Sequence, residues 1–121
     1  MARRAARAAE ALDDTAAALL DRLDRAEPHG IALDREGFLG APEELRLRML
    51  ARAIAKVAVP RPGAYPLRLD RLEALGEALS GADLPVRRTL GGGVITLGAS
   101  GPLTIRAEGP RRRGNVLMKS E

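Results

Sequence analysis

The apolar residues of this chain change their spacing at Pro85, from the 3.6-residue period of helices to the two-residue period of strands. Before Pro85, apolar stripes at helical spacing predict three long helices. We expect the first over residues 3–26, the second from 42 to about 59 and the third from 66 to 80. Packing the three helices on one another is the simplest way to bury their stripes.

Two short elements are predicted between the first two helices. Residues 31–33 are apolar and indicate either a small strand or an extended lead-in. Asp34 is placed to cap a short helical turn that continues to Leu39, and Gly40 ends it.

Beyond Pro85, residues 86–90, 94–97 and 103–106 predict three short strands separated by glycine-rich turns. The predicted fold class is therefore α+β and mainly helical, with three long helices and a short helical turn followed by a small antiparallel β-meander. We expect a helical region over 1–84 and a small β-meander with a basic tail over 85–121.

The net charge of +4 is unevenly placed along the chain. Residues 1–60 contain ten basic and ten acidic residues, whereas residues 61–121 contain ten basic and six acidic ones. A basic half of this kind favours polyanions such as nucleic acid. The candidate anion-binding residues are Arg61, Arg68, Arg71, Arg87, Arg88, Arg106, Arg111, Arg112 and Arg113.

Residue types that carry most enzyme chemistry are scarce in this chain. It has no cysteine, which excludes disulfides, zinc fingers and thiol nucleophiles, and its single histidine, His29, lies in a Pro-His-Gly turn. Residues 91–93 are three glycines, but they precede a strand pattern rather than the Lys-Ser/Thr and helix of a phosphate-binding loop. We therefore predict no catalytic residue and no metal site.

Several segments resemble, in order, those of the tRNA(Ile)-lysidine synthetase (TilS/MesJ) family of PP-loop ATPases. Residues 4–12 resemble the Ala/Arg-rich helix that follows the catalytic domain, and residues 41–48 resemble that family's next helix opening. Residues 64–73 resemble its Tyr-Pro-Pro-Arg-x-x-x-Leu-Glu segment, with Leu67 in place of the second proline. Residues 88–93 resemble a Thr-Leu-Gly-Gly-Cys stretch, with Gly93 where cysteine is common, and 103–108 resemble its closing strand.

The resemblance implies a part of an enzyme that converts the wobble cytidine of tRNA(Ile) to lysidine in an ATP-dependent reaction. The family's chemistry belongs to an N-terminal domain with a Ser-Gly-Gly-x-Asp-Ser signature, which this chain lacks. The expectation is then a non-catalytic, tRNA-binding part of such an enzyme, with tRNA(Ile) and the catalytic domain as partners. Residues 1–84 would be a helical substrate-binding region, and the basic second half of the chain would carry most of the tRNA contacts. No cofactor is expected in this chain, since ATP and Mg would belong to the catalytic domain, and the expected location is cytoplasmic.

A second hypothesis is a helical protein-interaction or dimerisation module without RNA binding, in which the first helix pairs with a second copy. A helix-turn-helix DNA reader fits less well because the tight turn between two short helices is absent. No apolar run approaches the roughly 20 residues of a membrane span, so no membrane contact is expected.

Overall fold

A computed structural model describes residues 2–59, 67–81 and 83–109, with side chains from Arg4 onward. These ranges contain four helices and four strands, in the order α1 (Ala2–Leu23), β1 (Gly30–Leu33), α2 (Arg35–Leu39), α3 (Glu43–Val57), α4 (Leu69–Ser80), β2 (Val86–Leu90), β3 (Gly93–Leu97) and β4 (Leu103–Ala107). The predicted mainly helical α+β fold is confirmed.

The strands form one antiparallel sheet in the order β1-β4-β3-β2. The predicted three-strand meander is present as β2, β3 and β4, and β1 adds a fourth strand beside β4. Gly91 and Gly92 connect β2 to β3 with φ angles of 60° and 89°, which residues with a Cβ rarely adopt. The glycines are therefore a hairpin turn, as predicted, and not a phosphate loop.

Strand β1 comes from the region predicted as helical, and it joins the sheet through Ile31, which lies opposite Ile105 of β4. The predicted regions 1–84 and 85–121 thus share one sheet and one hydrophobic core. How the chain divides into domains stays a prediction.

The core lies between the inner face of the sheet and a layer formed by α1, α3 and α4. Helix α3 contributes most to it, because it contacts both other long helices and three of the strands. Fully buried side chains from all parts of this core include Leu20, Leu33, Phe38, Met49, Leu50, Leu79, Ile95, Leu97, Leu103 and Ile105.

Helix α1 buries its apolar stripe inside this protein. Ala16 and Leu20 are buried, and α1 packs along α3. The homodimer hypothesis expected an exposed stripe on this helix, and the structure gives it no support.

Helix ends agree with the local signals, with two differences. Helix α1 ends at Leu23 rather than 26, because Asp24 forms a bridge with Leu33 and the Arg25 N–H donates to the Ala32 carbonyl. Residues that bond to the edge of β1 in this way cannot continue the helix.

Helix α4 begins at Leu69, three residues later than predicted, since Arg68 is extended with φ −92° and ψ 137°. Leu69 follows the apolar spacing of Leu72 and Leu75 in this helix, yet it is 65% exposed. Leu67, which precedes the helix, packs against the core instead. Pro66 lies outside the described residues.

Candidate nucleic-acid interface

The pairing register separates the side chains of the sheet into two faces. Ile31, Ile105, Ile95 and Arg88 lie in one row across the four strands, and the first three point into the core. Side chains alternate along each strand, so the neighbouring rows belong to the outer face. That outer face consists of Gly30, Arg106, Val94 and Thr89 in one row and Ala32, Thr104, Thr96 and Arg87 in the next.

Arg87 therefore stands on the outer face, on the edge strand, next to Thr96 and in line with Thr104. It is exposed, and among the described residues no carboxylate pairs with it. A guanidinium and the hydroxyl groups beside it can together donate several hydrogen bonds to one phosphate.

Arg88 points to the opposite side of the same strand. It occupies the edge position of the inner row, next to Ile95, where the helix layer no longer covers it, and it is exposed. Its guanidinium makes only a long contact, 3.4 Å, with the Arg87 carbonyl. The sequence treats Arg87 and Arg88 as one group, but the strand separates them onto two faces of one edge.

Arg106 is on the outer face with Arg87, but its charge is balanced. Its Nε and Nη2 atoms donate to the two carboxylate oxygens of Glu27, both at 2.8 Å. The hydrogen bond and the charge of Arg106 hold the pKa of Glu27 below its ordinary value, and the same bond raises the pKa of Arg106. This bidentate pair connects the segment before β1 to β4 and balances the charge of Arg106 with a carboxylate.

Helix α4 contacts β2 and carries two further candidates, Arg68 just before its first residue and Arg71 in its first turn. A Cβ added at Gly91 would lie 3.2 Å from Leu67 Cδ1, so the start of α4 lies next to the β2–β3 turn. Arg68 donates two hydrogen bonds of 3.1 Å to Asp70, which balances its charge. Arg71 is exposed and has no ion pair with any described residue.

We call the surface defined by Arg71, Arg87 and Arg88 the β2–α4 edge. The remaining candidates, Arg61, Arg111, Arg112 and Arg113, lie outside the described residues. The nine predicted residues thus include three, on β2 and α4, that pair with no carboxylate of the described residues, and two, Arg68 and Arg106, that have acidic partners.

The threonines of the outer face, Thr89, Thr96 and Thr104, were not among the predicted residues. Their signal is the two-residue alternation of the strands. Each threonine shares the face of an arginine in its strand or lies opposite one, and in β3 and β4 the intervening residues are apolar. Reading the strands face by face identifies these hydroxyls.

Three described residues have side chains that often take part in catalysis, namely His29, Asp13 and Asp14. His29 is exposed in the turn before β1, and no group of three or more metal-ligating side chains occurs among the residues that were placed. Asp13 and Asp14, adjacent on α1, are not a carboxylate pair, because Asp13 binds Arg48 at 2.6 Å. Among all the residues that the structure describes, no helix is both long and apolar enough to cross a membrane.

Comparison with known proteins gives two strong matches. The chain is 42% identical over 123 residues to a tRNA(Ile)-lysidine synthase of Methylobacterium nodulans, a match that covers 94% of this chain and 34% of that protein. It is 43% identical over 95 residues to a tRNA(Ile)-lysidine synthase of Methylobacterium sp. strain 4-46, covering 73% of this chain and 26% of that protein.

No family model and no solved structure matches the chain. The chain spans about a third of the length of the first of these curated relatives and about a quarter of the second. The matches agree with the family resemblance of the sequence segments, which follow the order of the family from the first helix to the last strand. Because one of them extends over nearly the whole chain, this protein belongs to the tRNA(Ile)-lysidine synthase family.

Proposed function

We propose that this chain is a non-catalytic, tRNA-binding part of a tRNA(Ile)-lysidine synthase. In this proposal it holds tRNA(Ile) while a catalytic domain outside the chain converts the wobble cytidine to lysidine with ATP. Support comes from the names of the two relatives and from the third of their length that the chain matches. ATP and Mg would be bound by the catalytic domain, and this chain would supply only contacts to the tRNA.

The observation that carries the proposal is the β2–α4 edge. Arg71, Arg87 and Arg88 are exposed, and none of them pairs with a carboxylate of the described residues. Guanidinium groups without an internal partner keep their full attraction for phosphates, which they bind with two parallel hydrogen bonds. An RNA backbone lying along β2 would receive these contacts.

The kind of RNA contact follows from what the surface offers. Phe38 is buried, so it provides no surface for stacking an unpaired base, and Tyr65 lies outside the described residues. Thr89, Thr96 and Thr104 provide hydroxyls, which bond phosphate and sugar oxygens. We therefore propose that the chain positions tRNA through its backbone, whereas base-specific selection belongs elsewhere.

The test is the salt dependence of tRNA(Ile) binding to the whole 121-residue chain. Three phosphate contacts should give a slope of log K against log salt of roughly −2 to −3, and further contacts steepen it. Replacing the three arginines together, Arg71→Gln, Arg87→Gln and Arg88→Gln, should reduce the magnitude of the slope by about the same amount.

A matched control removes three positive charges elsewhere. Arg4, Arg7 and Arg22 are exposed on α1, and replacing them by Gln changes the net charge equally. If the control triple lowers the slope as much as the edge triple, binding depends on net charge and the proposed interface is wrong. A slope near zero in the unaltered chain would contradict tRNA binding itself.

A further inference from the structure

Helices α1 and α3 run in the same direction and are joined by a ladder of charged pairs. Arg48 of α3 donates to Asp13 of α1 at 2.6 Å. Two turns further along both helices, the Lys56 ammonium lies 4.0 Å from the Asp21 carboxylate. In both pairs the two residues are separated by the same number of sequence positions. Successive acids along α1 therefore lie beside successive bases along α3.

One position of this ladder lacks its acid. Between the two pairs, α3 carries Arg52, and the corresponding residue of α1 is Ala17, whose methyl group cannot accept a hydrogen bond. Among the described residues, no carboxylate pairs with Arg52, and the residue is exposed.

An open groove of about 460 Å³ lies at this position. Small side chains from both helices leave it open, and charged residues stand around it. Its lining consists of Ala17, Leu20, Asp21, Arg52, Ala55 and Lys56. The groove therefore offers an unpaired guanidinium above an alanine-lined space.

We propose that this groove is a docking site for an acidic protein segment, which inserts an Asp or Glu carboxylate between α1 and α3 to pair with Arg52. The geometry of the neighbouring pairs supports a carboxylate, because Arg48 already binds one in the same manner. The incoming group completes the ladder where Ala17 leaves it open. Lys56, one turn further on α3, already pairs with Asp21, so Arg52 is the donor that the incoming group meets.

The charges around the groove favour a single carboxylate over RNA. Arg48 and Lys56 already pair with Asp13 and Asp21, so Arg52 is the basic side chain of this ladder that has no carboxylate among the described residues. A nucleic-acid backbone brings a row of negative charges, whereas the groove offers one such positive charge beside the Asp21 carboxylate. A protein segment places one charge at Arg52 and can keep its other residues neutral.

The groove is also separate from the β2–α4 edge. Ile54 faces the hairpin of the sheet, since its side chain lies 3.5 Å from where a Cβ of Gly93 would be. Arg52 is two residues away, about 200° around the helix, and so points to the opposite side of α3. This inference does not depend on the proposed tRNA contacts, and each can fail without the other.

The experiment follows the Nε–Hε resonances of the arginines of the 121-residue chain by NMR. The probe is a blocked hexapeptide with one Glu among neutral Ala and Ser residues, compared with inorganic phosphate and with a tRNA(Ile) transcript. We expect the peptide to shift the Arg52 resonance in a saturable way, while phosphate and tRNA leave it in place. Arg52→Gln should remove that resonance, which assigns it, and weaken peptide binding roughly fivefold, the effect of one charge-assisted contact at an exposed site.

Two more variants define the site. Ala17→Asp places an acid at the open position of the ladder, so it should compete with the peptide and abolish the shift without removing Arg52. Arg22→Gln changes the net charge as Arg52→Gln does, but on an exposed part of α1 away from the lining of the groove. It should leave peptide affinity within twofold of the unaltered chain.

Three results would overturn the proposal. A shift of Arg52 by phosphate or tRNA with no effect of the peptide would assign the groove to phosphate. Equal losses from Arg22→Gln and Arg52→Gln would show diffuse attraction. Absence of any saturable shift with the peptide would show that the groove binds no carboxylate.

Discussion

The α1–α3 surface and the β2–α4 edge both display basic residues, but they differ in how these residues are paired. The ladder on α1 and α3 pairs Arg48 and Lys56 with acids and leaves Arg52 without a carboxylate among the described residues. On the helical surface, Arg48 lies 2.6 Å from Asp13 and 3.4 Å from Glu44. On the edge, Arg71, Arg87 and Arg88 have no carboxylate partner among the described residues. The halves of the sequence show the same contrast, with charge balanced in residues 1–60 and basic excess in 61–121.

The comparison teaches that local pairing, more than the number of arginines, decides where a polyanion is attracted. Arg106 and Arg87 show this effect of local pairing on a single face of the sheet. Arg106 lies on the outer face with Arg87, yet Glu27 binds it through both carboxylate oxygens. A phosphate would have to displace that carboxylate, whereas at Arg87 it would displace only water.

The largest expected effect comes from weakening the core on which both surfaces depend. Ile105 of β4 is fully buried and pairs with β1 and β3. Ile105→Ala should lower the free energy of unfolding by about 2–5 kcal/mol, through lost burial and the cavity left behind. Urea unfolding followed by circular dichroism measures it.

The control for that substitution is Val59→Ala, since Val59 is 69% exposed. It should change the free energy of unfolding by less than about 0.5 kcal/mol. If Ile105→Ala were equally mild, the two surfaces would not rest on the shared core described above.

An intermediate effect should separate Arg87 from Arg106. Arg87→Gln should weaken tRNA(Ile) binding by roughly two- to tenfold at low salt, because a phosphate contact is lost. Arg106→Gln should change binding less and lower the thermal midpoint slightly instead, because it breaks the pair with Glu27. Filter binding and thermal melts on both variants test this, and a larger binding loss from Arg106→Gln would reverse the comparison.

The smallest expected effect is on the pH dependence of stability. Hydrogen bonding and charge from Arg106 lower the pKa of Glu27 from its ordinary 4.5, and the Gly37 N–H and then Arg25 lower the pKa of Asp34 from 3.8. A carboxylate with a lowered pKa stabilises the folded state fully above its ordinary pKa, and this contribution is lost as pH falls through the lowered value. Stability should therefore decrease as the pH falls below about 4.5.

Glu27→Gln should make that decrease shallower, as seen in thermal midpoints measured from pH 7 to pH 3. Glu73→Gln is the control, because Glu73 is exposed on α4 and has no ion pair among the described residues. If both variants follow the same curve as the unaltered chain, Glu27 contributes nothing to the acid sensitivity.

Much of the fold could be predicted because its signals are local. The side chain of Asp34 accepts the Gly37 N–H at 2.9 Å, as a capping residue at that spacing should. Gly91 and Gly92 form the expected hairpin turn, since their positive φ angles suit glycine. Such features depend on residues a few positions apart, so they are visible in the order of the residues.

The candidate site was less predictable, because the state of each arginine depends on distant neighbours. The pair between Arg106 and Glu27 joins residues 79 positions apart. The separation of Arg87 from Arg88 follows from strand geometry, but which of the two faces is covered depends on where the helices pack. The late start of α4 has a similar cause, because Leu67 packs against the core before the helix begins.

The order of the residues by itself determined the class of each main segment, the turns between them, the basic second half and the family to which the chain is similar. Only the tertiary structure decided that β1 completes the sheet beside β4 and that α1 and α3 run in parallel. It also decided which arginines, Arg52 among them, have no carboxylate partner among the described residues. The physical reason is range: helix periods, caps and turns are set by neighbours along the chain, whereas strand pairing and ion pairing are set by whichever surfaces the hydrophobic core brings together.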